Sequence, residues 1–208
     1  MTLYFFHTMQ RFTKNRCQPA SMMDQKQLVK DCIKQKPLAQ QQLYHHFAPA
    51  MLGVCYRYTK SIQDAEDVLQ ESFVKVFLHF KTYNFTGDLG AWIRRITVNT
   101  ALNYLKRNKK YRTEMVFAYM PLHPVSNQNP DINLEAKQIA ELIRQLPTGF
   151  QTIFNLYAIE GYTHVEIGQM LGINEGTSKS QYARARYLLI EWIEKYSSLS
   201  KQQQYAGK

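Results

Sequence analysis

The chain has 208 residues, of which 45% are hydrophobic and 20% charged, with a formal charge of +10. That is room for one ordinary domain or two small ones around a real core, and it excludes a disordered tail. The cationic excess points to nucleic acid or an acidic surface as partner, while the scattered Cys17, Cys32 and Cys55 exclude a disulfide framework and a zinc site.

Residues 1–22 read as an irregular extension. Their apolar patch is short and broken by His7, with no leading basic segment and no cleavage site to make a signal peptide, and Met22 or Met23 offers an alternative start. No apolar run approaches the ~20 residues of a membrane span, so no membrane insertion and a cytoplasmic protein are expected. From Met23 to Lys36, Leu28, Val29, Cys32 and Ile33 predict a short amphipathic helix. A second helix follows Pro37, which suits a first helical position. It turns Leu43, Phe47, Leu52, Cys55 and Tyr58 to the core, and Pro49 should kink or divide it.

Ser61-Ile62-Gln63-Asp64 resembles a capping box that opens a long helix, with Ala65, Val68, Leu69, Phe73, Val76, Phe77 and Phe80 as its apolar stripe. Opposite that stripe, Asp64, Asp67, Gln70 and Glu71 make an acidic and amide face suited to a basic partner. The loop Tyr83 to Asp88 then leads into a stretch, Gly87 to Arg112, with no acid between Asp88 and Glu114. Arg94, Arg95, Lys106, Arg107, Lys109, Lys110 and Arg112 all lie inside it. At helical spacing Leu89, Trp92, Ile93, Ile96, Thr100 and Tyr104 form a mostly apolar stripe, and Arg95, Asn99, Asn103 and Lys106 a polar one beside it. Cations attract phosphates and asparagine can choose among bases by bidentate geometry. Taken alone, such a run reads more simply as a solvated helix face. A second element further on changes that balance.

Residues 113–133 lose periodicity around PLHPVSNQNPD and read as a flexible linker. Helical pattern resumes at Leu134 with Ile139, Leu142, Ile143 and Leu146, then with Phe150, Ile153, Phe154 and Tyr157. Thr163-His164-Val165-Glu166 is a capping box opening a short helix whose apolar face is Ile167, Met170 and Leu171. Gly172-Ile173-Asn174 turns the chain into a further helix through GTSKSQYARARYLL, which makes a helix-turn-helix. In that last helix Ser178, Tyr182, Ala185 and Leu189 face inward. Thr177, Ser180, Gln181 and Arg184 face outward, flanked by Lys179 and Arg186; Gln181 can pair adenine and Arg184 guanine. Residues 197–208 read as a loose tail. With no convincing strand alternation, the expected fold class is all-α: two small helical domains on a linker.

Four runs, DAEDVLQESFVKVF, WIRRITVNTALNYLKR, LPTGFQTIFNLYAIEGYTHVEIGQMLGI and GTSKSQYARAR, in this order and at these separations resemble bacterial RNA polymerase sigma factors of the extracytoplasmic-function (ECF) type. The resemblance implies sigma region two at 23–112 and sigma region four at 134–196. It implies that the chain binds core RNA polymerase, directs it to promoters through the minus-ten and minus-thirty-five elements, and helps melt the DNA. Asp64, Asp67, Gln70 and Glu71 would dock on the polymerase. Phe85, Trp92 and Asn99 would read the minus-ten element, with Trp92 either a base platform or core support, and Arg94, Arg95, Lys106 and Arg107 would hold its phosphates. Thr177, Lys179, Ser180, Gln181, Arg184 and Arg186 would serve the minus-thirty-five element. Family members often carry Val in place of Ser178 and Arg in place of Gln181, so packing and base preference should differ here. Core RNA polymerase and promoter DNA are the implied partners, with an anti-sigma factor left open; no cofactor, metal, small-molecule substrate or catalysis is implied.

Two other readings compete. A stand-alone helix-turn-helix regulator would leave the acidic-amide and basic helices without a role. A nuclease would use Asp64, Asp67 and Glu71 with magnesium, but no His or Cys is placed to complete such a site.

Overall fold

The computed structural model describes residues 22–108 and 136–206. Among them lie eight α-helices and no strand, in two compact units. The front unit holds α1 (Met22–Ile33), α2 (Pro37–Tyr56), α3 (Ile62–His79) and α4 (Leu89–Arg107), with a 3-10 turn at Phe80–Thr82. The rear unit holds α5 (Ala136–Gln145), α6 (Thr148–Phe154), α7 (His164–Leu171) and α8 (Glu175–Ala206). The expected extension up to Ser21 and the linker 113–133 lie outside the described residues, as do Cys17, Lys109, Lys110 and Arg112.

In the front unit α2, α3 and α4 pack on one another, and α1 lies against α2. Leu43 and Cys55 of α2, Ala65 and Val76 of α3, and Ile93 and Ala101 of α4 are each 0% exposed. Burying a Leu, Val or Ile side chain in this way contributes about 1.5–3 kcal/mol. The α3 stripe is buried as the spacing predicts, apart from a half-buried Phe77.

On α4 the buried band is wider than the expected stripe. Leu89, Ile93 and Thr100 are inside, but so are Thr97, Val98, Ala101, Leu102 and Leu105, while Trp92, Ile96 and Tyr104 sit at the edge. Thr97 can be interior because its hydroxyl donates to the Ile93 carbonyl at 3.0 Å, which removes the cost of an unmade bond. Thr100 does the same to Ile96 at 2.9 Å.

Of the kink or division expected at Pro49, the division is absent: α2 runs unbroken from Pro37 to Tyr56. Pro49 and His45 are both exposed, so the carbonyl that the proline ring leaves without its N–H partner lies on the water side. The tail expected from residue 197 continues α8 as far as Ala206. SSLSKQQQYA holds no Gly or Pro, and its Leu, Lys, Gln and Ala are good helix formers.

In the rear unit Ile139, Leu142, Ile143 and Leu146 of α5 pack with Phe150 and Phe154 of α6 and with Ala185, Leu189 and Ile193 of α8. After α6 the chain widens into one π-turn, Asn155–Ile159, where the Glu160 N–H donates to the Asn155 carbonyl at 2.9 Å. The α7 capping box is complete: Thr163 Oγ1 accepts the Glu166 N–H at 3.2 Å, and Glu166 Oε2 accepts the Thr163 N–H at 2.8 Å. Gly172 ends α7 at φ +71°, and its N–H donates to the Gly168 carbonyl at 2.8 Å. Asn174 then caps α8, its Oδ1 accepting the Thr177 N–H at 2.6 Å.

Candidate nucleic-acid interface

The front unit presents a short, internally braced loop beside an exposed polar row. Tyr83 is buried and its hydroxyl donates to the Gly87 carbonyl at 3.0 Å. Asn84 Oδ1 accepts both the N–H and the hydroxyl of Thr86, at 3.2 and 2.6 Å. Asp88 closes the loop by accepting the Ala91 N–H at 3.0 Å, which starts α4. Between these braces Phe85 stands 36% exposed with φ +59°. That left-handed region is costly for a bulky side chain and is held only where its surroundings enforce it.

Beneath the loop lies a run of aromatic rings. Phe80 stacks on Trp92 at 5.4 Å, Trp92 meets Tyr83 at 5.2 Å, and Tyr83 meets Phe85 at 5.3 Å. Trp92 is therefore wedged between core rings, while Phe85 ends the run at the surface. Along α4, Arg95, Asn99, Asn103 and Lys106 are all exposed on one face, and Arg94 is half-buried.

The acidic face of α3 is divided. Asp67 and Gln70 stand exposed. Asp64 and Glu71 instead bond to α4: the Tyr104 hydroxyl donates to Asp64 at 2.6 Å, and Arg107 Nη2 reaches Glu71 Oε2 at 2.6 Å. Lys75 also reaches Glu71, at 2.8 Å. The Lys75 bond first, and Arg107 after it, hold the Glu71 carboxyl below the usual glutamate range. The structure also exposes Ile62, Val74 and Leu78 on α3, at 43%, 58% and 71%. With Glu66 and Gln70 they form one row spaced by four residues. The sequence signal for it was apolar residues off the buried stripe, and it went unused.

In the rear unit Ser178 is fully buried, as the inward face requires. Thr177, Ser180, Gln181 and Arg184 are half-buried, and Lys179 and Arg186 are exposed. Lys179 pairs with Glu175 at 2.6 Å. One residue passed over in the sequence belongs to this motif: His164, the first residue of α7, has its Nδ1 2.9 Å from the Ser178 hydroxyl and its ring stacked on Tyr157 at 4.2 Å. Burial first, and Lys179 second, lower its pKa below the usual histidine value, which favours the neutral ring.

A braced loop with a cationic, amide-bearing helix and a separate helix-turn-helix define a transcription protein of the sigma-70 class. Residues 43–111 match Sigma-70 region 2 and residues 136–189 match Sigma-70, region 4, together more than half of the chain. The chain is 32% identical over 161 residues to the ECF RNA polymerase sigma factor SigE of Mycolicibacterium smegmatis, covering 76% of this chain and 62% of that protein. It is 30% identical over 149 residues to the RNA polymerase sigma-H factor of Pseudomonas aeruginosa, covering 65% and 76%. With the ECF RNA polymerase sigma factor SigW of Bacillus subtilis it shares 26% over 147 residues, covering 65% and 79%. The chain belongs to the ECF sigma factors, which direct RNA polymerase to promoters.

Proposed function

We propose that the front unit docks on core RNA polymerase through the exposed side of α3 and reads the minus-ten element with the loop 83–88 and the α4 polar row. The rear unit, by the same reading, sets the first turns of α8 in the major groove of the minus-thirty-five element. The exposed row Arg95, Asn99, Asn103 and Lys106 on α4, together with the exposed Phe85 on the braced loop that leads into that helix, carries this reading. Cations along that row meet phosphates, Asn99 offers an amide to a base edge, and Phe85 offers a ring to an unstacked base. Unstacking one base costs a few kcal/mol, on the order of what stacking on an aromatic ring returns.

The proposed boundaries are 23–112 for region two, 113–133 for the linker and 134–196 for region four. Each unit alone would bind weakly, and the pair gains through effective concentration once mounted on polymerase. The chain itself catalyses nothing in this reading. Two of the three carboxylates that a magnesium nuclease would share are engaged elsewhere, Asp64 with Tyr104 and Glu71 with Lys75 and Arg107. Among the described residues no helix is long and apolar enough to cross a membrane, and the reading places the protein in the cytoplasm with the polymerase.

The test is reconstitution of the full chain with core polymerase on promoter templates. Co-migration with core and transcription from defined start sites are expected; an operator-binding chain that ignores core would overturn the reading in favour of a stand-alone regulator. Asp67→Lys, which touches no internal pair described above, should weaken core binding by about fivefold to tenfold, because reversing an exposed charge at an interface rim chiefly alters steering. Unchanged core affinity would remove Asp67 from the docking face. Arg184→Ala should cost about 1–3 kcal/mol of discrimination at one upstream base pair. Binding assays across single-base variants of that element would register the loss, and an unaltered preference would take Arg184 out of the groove.

A further inference from the structure

Between Glu175 and Arg184, all of them described residues, Ser178 alone is fully buried. Tyr182, half-buried, also packs against the core there, its ring 5.9 Å from that of Phe154, and Ala185, Leu189 and Ile193 follow it. The first turns of α8, which carry Gln181 and Arg184, are thus anchored inward by the Ser178 hydroxyl and the Tyr182 ring. Apolar contact at such a position tolerates rotation, whereas a hydrogen bond is directional and weakens steeply off its axis.

Its partner is well fixed. His164 follows directly on the completed Thr163–Glu166 capping box. Its ring lies 10° from parallel with Tyr157, which the π-turn presents, and Tyr157 in turn meets Tyr182 at 4.5 Å. Tyr182 stands one turn beyond Ser178 and also meets His164, at 5.7 Å. Two rings from two other segments therefore flank the His164 ring, whose Nδ1 bonds to the Ser178 hydroxyl.

We propose that His164 is a positioning residue for upstream-element reading: its bond to Ser178 sets the rotation of α8 about its own axis, and so the base preference of Gln181 and Arg184. This rests on the reading of α8 as the groove-entering helix. The lever is short. A 10° rotation moves a side-chain tip about 6 Å from a helix axis by roughly 1 Å. Bidentate base contacts need both bonds within a window of about 0.5 Å, so such a shift blurs selectivity before it abolishes attraction to the phosphates.

The experiment uses full-length chain with core polymerase and a template library randomised across the minus-thirty-five element. His164→Ala and Ser178→Ala should each flatten the base preference by about fivefold to tenfold. The double variant should be no worse than either single one, because both remove the same bond. His164→Asn, whose amide can stand where Nδ1 stands, should restore most of the preference. Thermal unfolding is followed in parallel, and a loss of stability with an unchanged preference profile would overturn the proposal by making the pair merely structural. Multiplying effects in the double variant, or no recovery with asparagine, would overturn it too. If Ser178→Ala fails to fold, the comparison of His164→Ala with His164→Asn still decides. A wild-type chain with no upstream preference would instead remove the promoter reading beneath it.

Discussion

Gly168→Ala should distort the helix-turn-helix, lowering rear-unit stability by up to about 2 kcal/mol net and abolishing upstream-element preference. A Cβ built on Gly168 would lie 2.8 Å from the Ile173 carbonyl oxygen, a backbone atom with no side-chain freedom to yield. The turn is folded tightly onto this residue, since the N–H groups of Gly172 and Ile173 both donate to the Gly168 carbonyl, at 2.8 and 3.0 Å. Two effects oppose each other. Alanine is favoured over glycine inside a helix by about 1 kcal/mol, while forcing a methyl into a closed space costs about 1–3 kcal/mol. The clash wins because relieving it means opening the α7–α8 turn. Thermal unfolding and binding to a variant set of upstream elements would measure both losses. A Gly168→Ala protein as stable and as selective as wild type would show that the turn gives way freely.

The second large effect separates two neighbouring aromatic residues. Trp92→Ala should destabilise the front unit by about 3 kcal/mol, since it removes a large ring packed between Phe80 and Tyr83. Phe85→Ala should leave stability within about 0.5 kcal/mol, as expected for a surface position. It should nevertheless slow promoter opening by about tenfold or more, from the loss of one base-stacking platform worth about 1–3 kcal/mol. Denaturant unfolding and opening rates of the reconstituted polymerase give the two readouts. Equal stability losses would make Phe85 a core residue, and unimpaired opening by Phe85→Ala would remove it from the minus-ten reader.

The sequence conveyed what local rules govern. The period of Ala65 to Phe80, the Thr163 to Glu166 capping box, the turn at Gly172 and the row from Arg95 to Lys106 are all written in neighbouring residues. Features that depend on distant partners were not legible. Thr97 looks polar in a string of letters, and only its bond to the Ile93 carbonyl makes it a core residue. Asp64 and Glu71 share a helix face with Asp67, but each has a partner on α4, 40 and 36 residues away. The π-turn at Asn155 has no residue signature, and without it the Tyr157 ring gives no reason to single out His164. Pro49, which does not divide α2, shows the opposite error, where a local rule about prolines was given too much weight.

The tie between Glu71 and Arg107 joins the helix proposed to meet protein and the helix proposed to meet nucleic acid. A carboxylate already shared by Lys75 and Arg107 has much of its charge answered, so a third cation competes with them for it. Arg107, at 63% side-chain exposure, is the easier to release. Any basic ligand that takes Glu71 thus hands a positive charge back to the opposite helix, and an anion that takes Arg107 returns the favour. Linkage makes the two effects equal in size, and for so open an ion pair the factor is at most about fivefold.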